Sequence, residues 1–191
     1  MKTRESGMPD EGMWETFFDP ADTLARLGLT RDCGNVVEFG CGYGTFTIPA
    51  AKLVDGIVYA LDIEPEMIAA TEARALREGV VNIQAGLRDF VSQGTGLPEA
   101  NAGFAMLFNL LHCEGPLELL REAHRVLRRD GILGVIHWRS DIETPRGPSL
   151  EIRPSPEACI AWAEATGFSV REPGVILLQP YHFGISFGKA A

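Results

Sequence analysis

Four segments of this chain open on proline and close on glycine, with short apolar runs between them. That alternation restricts the fold more than any single motif. Asp19-Pro20 to Gly28, Glu64-Pro65 to Gly79, Gly115-Pro116 to Asp130-Gly131 and Ser155-Pro156 to Gly167 each read as a helix. Proline suits a first turn because the N–H it lacks would have no partner there, and glycine suits the end. From Pro116 onward, Leu119, Leu120, Ala123, Val126 and Leu127 form an apolar stripe at spacings of three and four. The runs Val36 to Phe39, Ile57 to Leu61, Val80 to Ile83, Phe104 to Phe108 and Ile132 to His137 lack polar/apolar alternation. Strands covered on both faces read this way. Strands alternating with helices predict a parallel sheet with right-handed crossovers. Val175 to Leu178 and Phe183 to Phe187 have no helix between them and predict a closing hairpin with one antiparallel strand.

A length of 191 residues suits one three-layer α/β domain over 1–191. Seventeen Lys and Arg against 26 Asp and Glu leave a net charge of −9, which disfavours a nucleic-acid partner, since such binding rests on neutralising phosphates. No apolar run approaches the roughly 18–20 residues of a membrane helix, so no membrane partner is expected. The segment 1–13 has a basic start, with Lys2 and Arg4, but lacks the apolar core of a secretory signal. Cys33, Cys41, Cys113 and Cys159 form no CxxC pair, no metal-ligand cluster stands out, and reduced thiols in a cytoplasmic protein are expected.

The segment Glu38-Phe39-Gly40-Cys41-Gly42-Tyr43-Gly44-Thr45 joins an apolar strand to a helix. Glycines there let backbone turn tightly against a ligand, and ligands of open α/β sheets sit at the carboxyl ends of strands. Asp62 ends the next apolar run, where an acid accepts from both ribose hydroxyls of an adenosine. A dinucleotide site wants GxGxxG, yet Thr45 stands where the third glycine belongs. Glu38 would repel a pyrophosphate and attract an ammonium or sulfonium. The ligand expected is therefore a cationic adenosine compound.

These residues, from Glu38 through Gly44 together with Asp62, resemble the class I S-adenosylmethionine-dependent methyltransferases. Asn109-Leu-Leu-His112, Leu120 to Leu127 and Asp130-Gly131 are similar to the small-molecule branch related to ubiquinone and menaquinone biosynthesis. The resemblance implies a Rossmann-like three-layer sandwich, with a mostly parallel seven-stranded sheet ending in an antiparallel β-hairpin, and S-adenosylmethionine as cofactor. It implies that Gly40, Gly42 and Gly44 approach the methionine part, that Glu38 orients that part, and that Asp62 holds the ribose. Ile63 would pack on the adenine, Asp89 and Phe90 would meet its amine and ring, and Asn109 would face the methyl group. The family's acid follows its strand more closely than Asp89 does here, because Leu87-Arg88 intervenes.

A sulfonium makes its methyl group electrophilic already, so the protein must align an acceptor, exclude water and sometimes remove a proton. His112 and His137, after the fourth strand and ending the fifth, are the candidate proton acceptors. Arg139, Arg146 and Arg153 crowd a proline-rich loop and suggest an anionic group on a small-molecule acceptor. Trp138 could wall that pocket. Trp14, in the aromatic run from Met13 to Phe18, marks 1–18 as a lid over the cofactor site or a staple for the first helix. A homodimer could complete the pocket. The alternatives are a non-catalytic S-adenosylmethionine-binding sensor or scaffold, a nicotinamide oxidoreductase, and an RNA or protein methyltransferase, of which the charge disfavours RNA and leaves a protein acceptor open.

Overall fold

The computed structural model describes residues 10–190, so 1–9 of the expected arm, and the basic start with them, lie outside the described residues. In chain order the elements are α1 (Glu11–Glu15), α2 (Pro20–Arg26), β1 (Val36–Phe39), α3 (Thr47–Leu53), β2 (Val58–Asp62), α4 (Pro65–Arg77), β3 (Ile83–Leu87) and α5 (Phe90–Gln93). There follow β4 (Ala102–Phe108), α6 (Pro116–Val126), β5 (Leu127–Trp138), α7 (Pro156–Glu164), β6 (Phe168–Leu178) and β7 (His182–Lys189). All four proline-opened segments are helices with proline in the first turn. Asp19 and Ser155 cap two of them by accepting from the backbone N–H groups of Asp22 and Ala158.

The sheet has the order β3-β2-β1-β4-β5-β7-β6. β1 to β5 pair in parallel, and β7 runs antiparallel to both β5 and β6. This is the Rossmann-like architecture expected, with β7 as the antiparallel strand, seated between β5 and the edge strand β6. Period-two geometry divides each central strand between two cores. In β4, Ala105 and Leu107 join α6 and α7 in one core, while Phe104, Met106 and Phe108 join α2 and α3 in the other. The apolar runs lack alternation because both faces are covered. Among the described residues no helix is long and apolar enough to cross a membrane.

Three expectations need correction. The helix from Pro116 stops at Val126, not at Asp130-Gly131. Leu127 already has extended backbone and pairs with Ala102, so Leu127 to Gly131 belong to β5. The third strand is Ile83–Leu87 rather than Val80 to Ile83. Val81 is 94% exposed, and the Asn82 amide donates to Ala51 and Gly56 carbonyls instead of entering the strand. As an edge strand β3 has no need of an apolar run. Both hairpin strands are longer than the apolar runs suggested: in β6 a register irregularity between Val170 and Val175 absorbs Pro173-Gly174, and in β7 His182 and Gly188 pair with Trp138 and Ile132 of β5.

Candidate active site

The carboxyl ends of β1, β2, β4 and β5 carry most of the residues singled out in the sequence. Between β1 and α3, Gly40, Gly42 and Gly44 all adopt positive φ (75°, 53° and 76°). A Cβ on Gly44 would lie 3.2 Å from the Thr71 hydroxyl, so α4 closes on the loop from behind. Thr71 donates to the Gly42 carbonyl (2.9 Å), and the N–H groups of Gly40 and Cys41 both donate to the Leu61 carbonyl. The result is a tight backbone cradle that only glycines fit.

Asp62 ties this cradle to the next turn. One carboxylate oxygen accepts from the Gly42 N–H and the other from the Glu64 N–H, each at 3.0 Å. A carboxylate has about four acceptor sites, so two amides leave room for ribose hydroxyls. Burial, partly opposed by those amides, raises the Asp62 pKa. Ile63 beside it is half-buried.

Glu38 points to the α3 side of β1, where period two places it, and accepts from the Thr47 hydroxyl. Its pKa is pushed up to about 8 by burial; the Thr47 hydrogen bond opposes the rise and the Asp62 charge adds to it. An arriving cation would reverse that shift, because an opposite charge nearby favours the ionised carboxyl. Cys41 is buried and its thiol is pushed up, which fits a filler and not a nucleophile.

Asn109 follows β4 with φ of 58°, unusual outside glycine. Its N–H donates to the Ile136 carbonyl at 2.7 Å, and both polar atoms of its side chain are buried without a partner. The hydroxyl of Thr45, next to the cradle, is also buried and unpartnered. Buried polar groups are normally satisfied, so orphans beside the cradle mark where a ligand would bond.

Other expected contacts are redistributed. Phe90 is 7% exposed, with its ring at right angles to that of Phe39 at 5.4 Å, so it belongs to the core beside β1. Asp89 caps α5 by accepting from Ser92, while Leu87 is the residue that pairs with Asp62 across β2 and β3. His137 is wholly buried and bonded at both ring nitrogens, to His112 and to the Trp138 carbonyl, so it cannot itself reach an acceptor. His112 is half-buried in the loop after β4.

The arginine cluster also divides. Arg153 donates to the backbone oxygens of Arg139, Ile142, Arg146 and Pro148 and to the Thr144 hydroxyl. Its guanidinium, stacked on Trp138 at 5.6 Å, holds the loop together and is not free for a substrate. Arg139 forms a fork with Asp141. The Arg146 side chain alone of the three has no partner among the described residues.

Trp14 on α1 packs against Phe17, Phe18 and Trp138, with Tyr43 of the glycine loop and Tyr181 alongside. Arg74 of α4 bonds Glu15 at 2.7 Å. The described part of the arm therefore spans from α4, past the cradle, to the end of β5. Trp138 is 3% exposed and faces the arm rather than an open pocket.

Sequence reasoning missed Thr47, Thr71 and His182. Thr47 opens the helix after the cradle, where the partner of a strand acid could have been sought. Thr71 has no local signal. His182 is fully buried among Trp138, Phe18, Trp14 and Phe17 with neither ring nitrogen bonded. Its cross-strand pairing with Trp138 is a long-range fact. Among the described residues no three of His, Cys, Asp and Glu converge as a metal site.

The glycine cradle, the buried Glu38, Asp62 and the orphaned Asn109 amide together fit S-adenosylmethionine. A family profile described as a methyltransferase domain matches residues 36–131, half of the chain. An S-adenosylmethionine-dependent methyltransferase from Aquifex aeolicus is similar in structure, with a TM-score of 0.80, 26% identity and 93% of each chain covered. Ribosomal protein L11 methyltransferase from Klebsiella pneumoniae is 34% identical over 67% of this chain and 46% of its own length. Nocamycin O-methyltransferase from Saccharothrix syringae is 30% identical over 69% of this chain and 48% of its own. The chain thus spans less than half the length of these curated relatives. Glu38 through Gly44, Asp62 and the sheet order place the chain in the family of class I S-adenosylmethionine-dependent methyltransferases.

Proposed function

We propose that this chain transfers the methyl group of S-adenosylmethionine to a small acceptor bearing an anionic group. The observation that carries the reading is the buried Glu38 carboxyl beside a glycine cradle tied by Asp62. A carboxyl so placed favours a cation and opposes a pyrophosphate. When bound, the cofactor supplies a methyl group already activated by its positive sulfur.

The chain's own residues then have separable tasks. Glu38 ionises against the incoming positive charge, and Asp62 keeps its two amide bonds while accepting from the ribose. The Asn109 amide, fixed by its strained backbone, bonds at the reacting end. Trp14 and Phe17 exclude water, while the site's main task is to align the acceptor with the methyl group. Arg146 offers a free guanidinium for the acceptor's anionic group. The net charge of −9 favours a small acceptor over a nucleic acid.

Turnover of S-adenosylmethionine to S-adenosylhomocysteine in a screen of small organic acids tests the reading. Methylation of at least one is expected, with Arg146→Ala raising its KM while leaving cofactor affinity unchanged. Tight S-adenosylhomocysteine binding with no turnover on any acceptor class would instead identify a sensor or scaffold.

A further inference from the structure

His112 and His137 form a directed pair whose protons can be placed. The His137 Nδ1 lies 3.2 Å from the backbone oxygen of Trp138, and its Nε2 lies 3.2 Å from the His112 Nδ1. A carbonyl oxygen only accepts, so His137 must carry its proton on Nδ1. The opposite tautomer would set two lone pairs against each other. A neutral imidazole has one N–H, which leaves the His137 Nε2 as an acceptor. The His112 Nδ1 must then donate, and the His112 Nε2 is a bare lone pair.

Surroundings keep the pair neutral. Burial first, then the neighbouring His112, holds His137 down to about 3. Burial, with Arg153 next, lowers His112. The His112 Nε2 has no partner among the described residues, and its ring is half-buried rather than sealed. It stands three residues after Asn109, which bonds to Ile136 directly before His137. His112 thus belongs to the same carboxyl edge as the cradle.

We infer that the His112 Nε2 receives the acceptor's proton, that His137 is a positioning residue fixing the His112 tautomer, and that the acceptor is a hydroxyl or N–H compound whose reacting atom keeps its proton until transfer. This rests on the methyltransferase reading and deepens it. In the step, the acceptor's X–H bond breaks and its proton goes to the His112 Nε2. The freed pair on X forms the bond to the methyl carbon. The carbon–sulfur bond breaks, its pair remaining on sulfur. One positive charge is lost at sulfur and one gained at His112, which later yields its proton to water. Throughout, the His112 Nδ1–H keeps its acceptor on His137, so the imidazolium forms with a partner already in place. A thiolate or a preformed carboxylate would need no such device.

Two-bond proton–nitrogen correlation spectra of the ¹⁵N-labelled full chain, with S-adenosylhomocysteine added at neutral pH, test this directly. Both histidines are expected to carry the proton on Nδ1. His137→Phe should return His112 to the Nε2–H form, and His137→Gln, whose amide oxygen replaces the acceptor, should preserve Nδ1–H. A wild-type His112 protonated on Nε2, or Nδ1–H retained in His137→Phe, overturns the assignment. If His137→Phe does not fold, the wild type and His137→Gln decide. On the acceptors a screen yields, His112→Gln should lower kcat by roughly 10²–10⁴-fold with unchanged S-adenosylhomocysteine affinity. An undiminished kcat overturns the proton role, and turnover confined to thiols or carboxylates overturns the acceptor class. Failure to bind S-adenosylhomocysteine would sink the methyltransferase reading itself, whatever the tautomers.

Discussion

The two halves of the carboxyl edge are built on different principles. Around β1 and β2, each task is held largely by backbone groups at the ends of two adjacent strands. The cradle, Asp62 and Glu38 are joined by backbone amides and the hydroxyls of Thr47 and Thr71. Around β4, β5 and β7, the groups meet only through sheet pairing and the docked arm. His112 reaches His137 across 25 residues, and Trp138 meets His182 through a strand from the chain's end. A cofactor common to a family can be held by a local device. A particular acceptor needs groups gathered from distant segments.

Breaking the local half should have the largest effect. Gly44→Val places a branched side chain at φ of 76° and against Thr71, and calorimetry should find S-adenosylhomocysteine binding abolished. Binding that survives in a folded variant would remove the cradle from the site. Asp62→Ala comes next. Losing charge-assisted ribose bonds should weaken affinity by roughly 1–3 kcal/mol, or about 5- to 150-fold, in the same titration. An unchanged affinity would leave Asp62 only its backbone role.

In the other half, Arg153→Ala should act on stability and spare the cofactor. Removing a guanidinium that holds five oxygens of the loop should cost roughly 1–3 kcal/mol in denaturant unfolding. A variant of full stability with a raised acceptor KM would return Arg153 to the substrate.

The pH dependence should divide the halves too. A carboxyl raised to about 8 contributes stability that is present below the usual carboxylate range and lost as pH rises towards 8. A histidine lowered to about 3 contributes stability that is present above the usual imidazole pKa and lost as pH falls towards 3. Glu38→Gln should therefore flatten the alkaline limb of the stability profile and leave the acid limb. An unaltered alkaline limb would show that Glu38 is already ionised without a ligand.

The same division explains what could be read from the residues. Glycine spacing, the strand acid and the acid ending β2 are separated by fixed numbers of residues, so their geometry follows from strand and turn periodicity. Proline and glycine punctuation located four helices for the same reason. The start of β5 was hidden because Leu127 completes a helical stripe, yet its backbone is captured by Ala102 of the neighbouring strand. The packing of Phe90 on Phe39 could not be read from the sequence, because spacing cannot tell which side of α5 faces β1. The arginine cluster read as an anion site because a sequence shows three guanidiniums but not the carbonyls that occupy Arg153. His182 was invisible, since its neighbours come from the arm and β5.

The most direct test is calorimetric titration of the full chain with S-adenosylhomocysteine at pH 7, in two buffers of different ionisation enthalpy, with NAD in parallel. Micromolar binding of S-adenosylhomocysteine alone is expected, with release of up to about one proton per chain as Glu38 ionises against the bound ammonium. Binding of NAD instead, or of neither compound, would contradict the cofactor assignment.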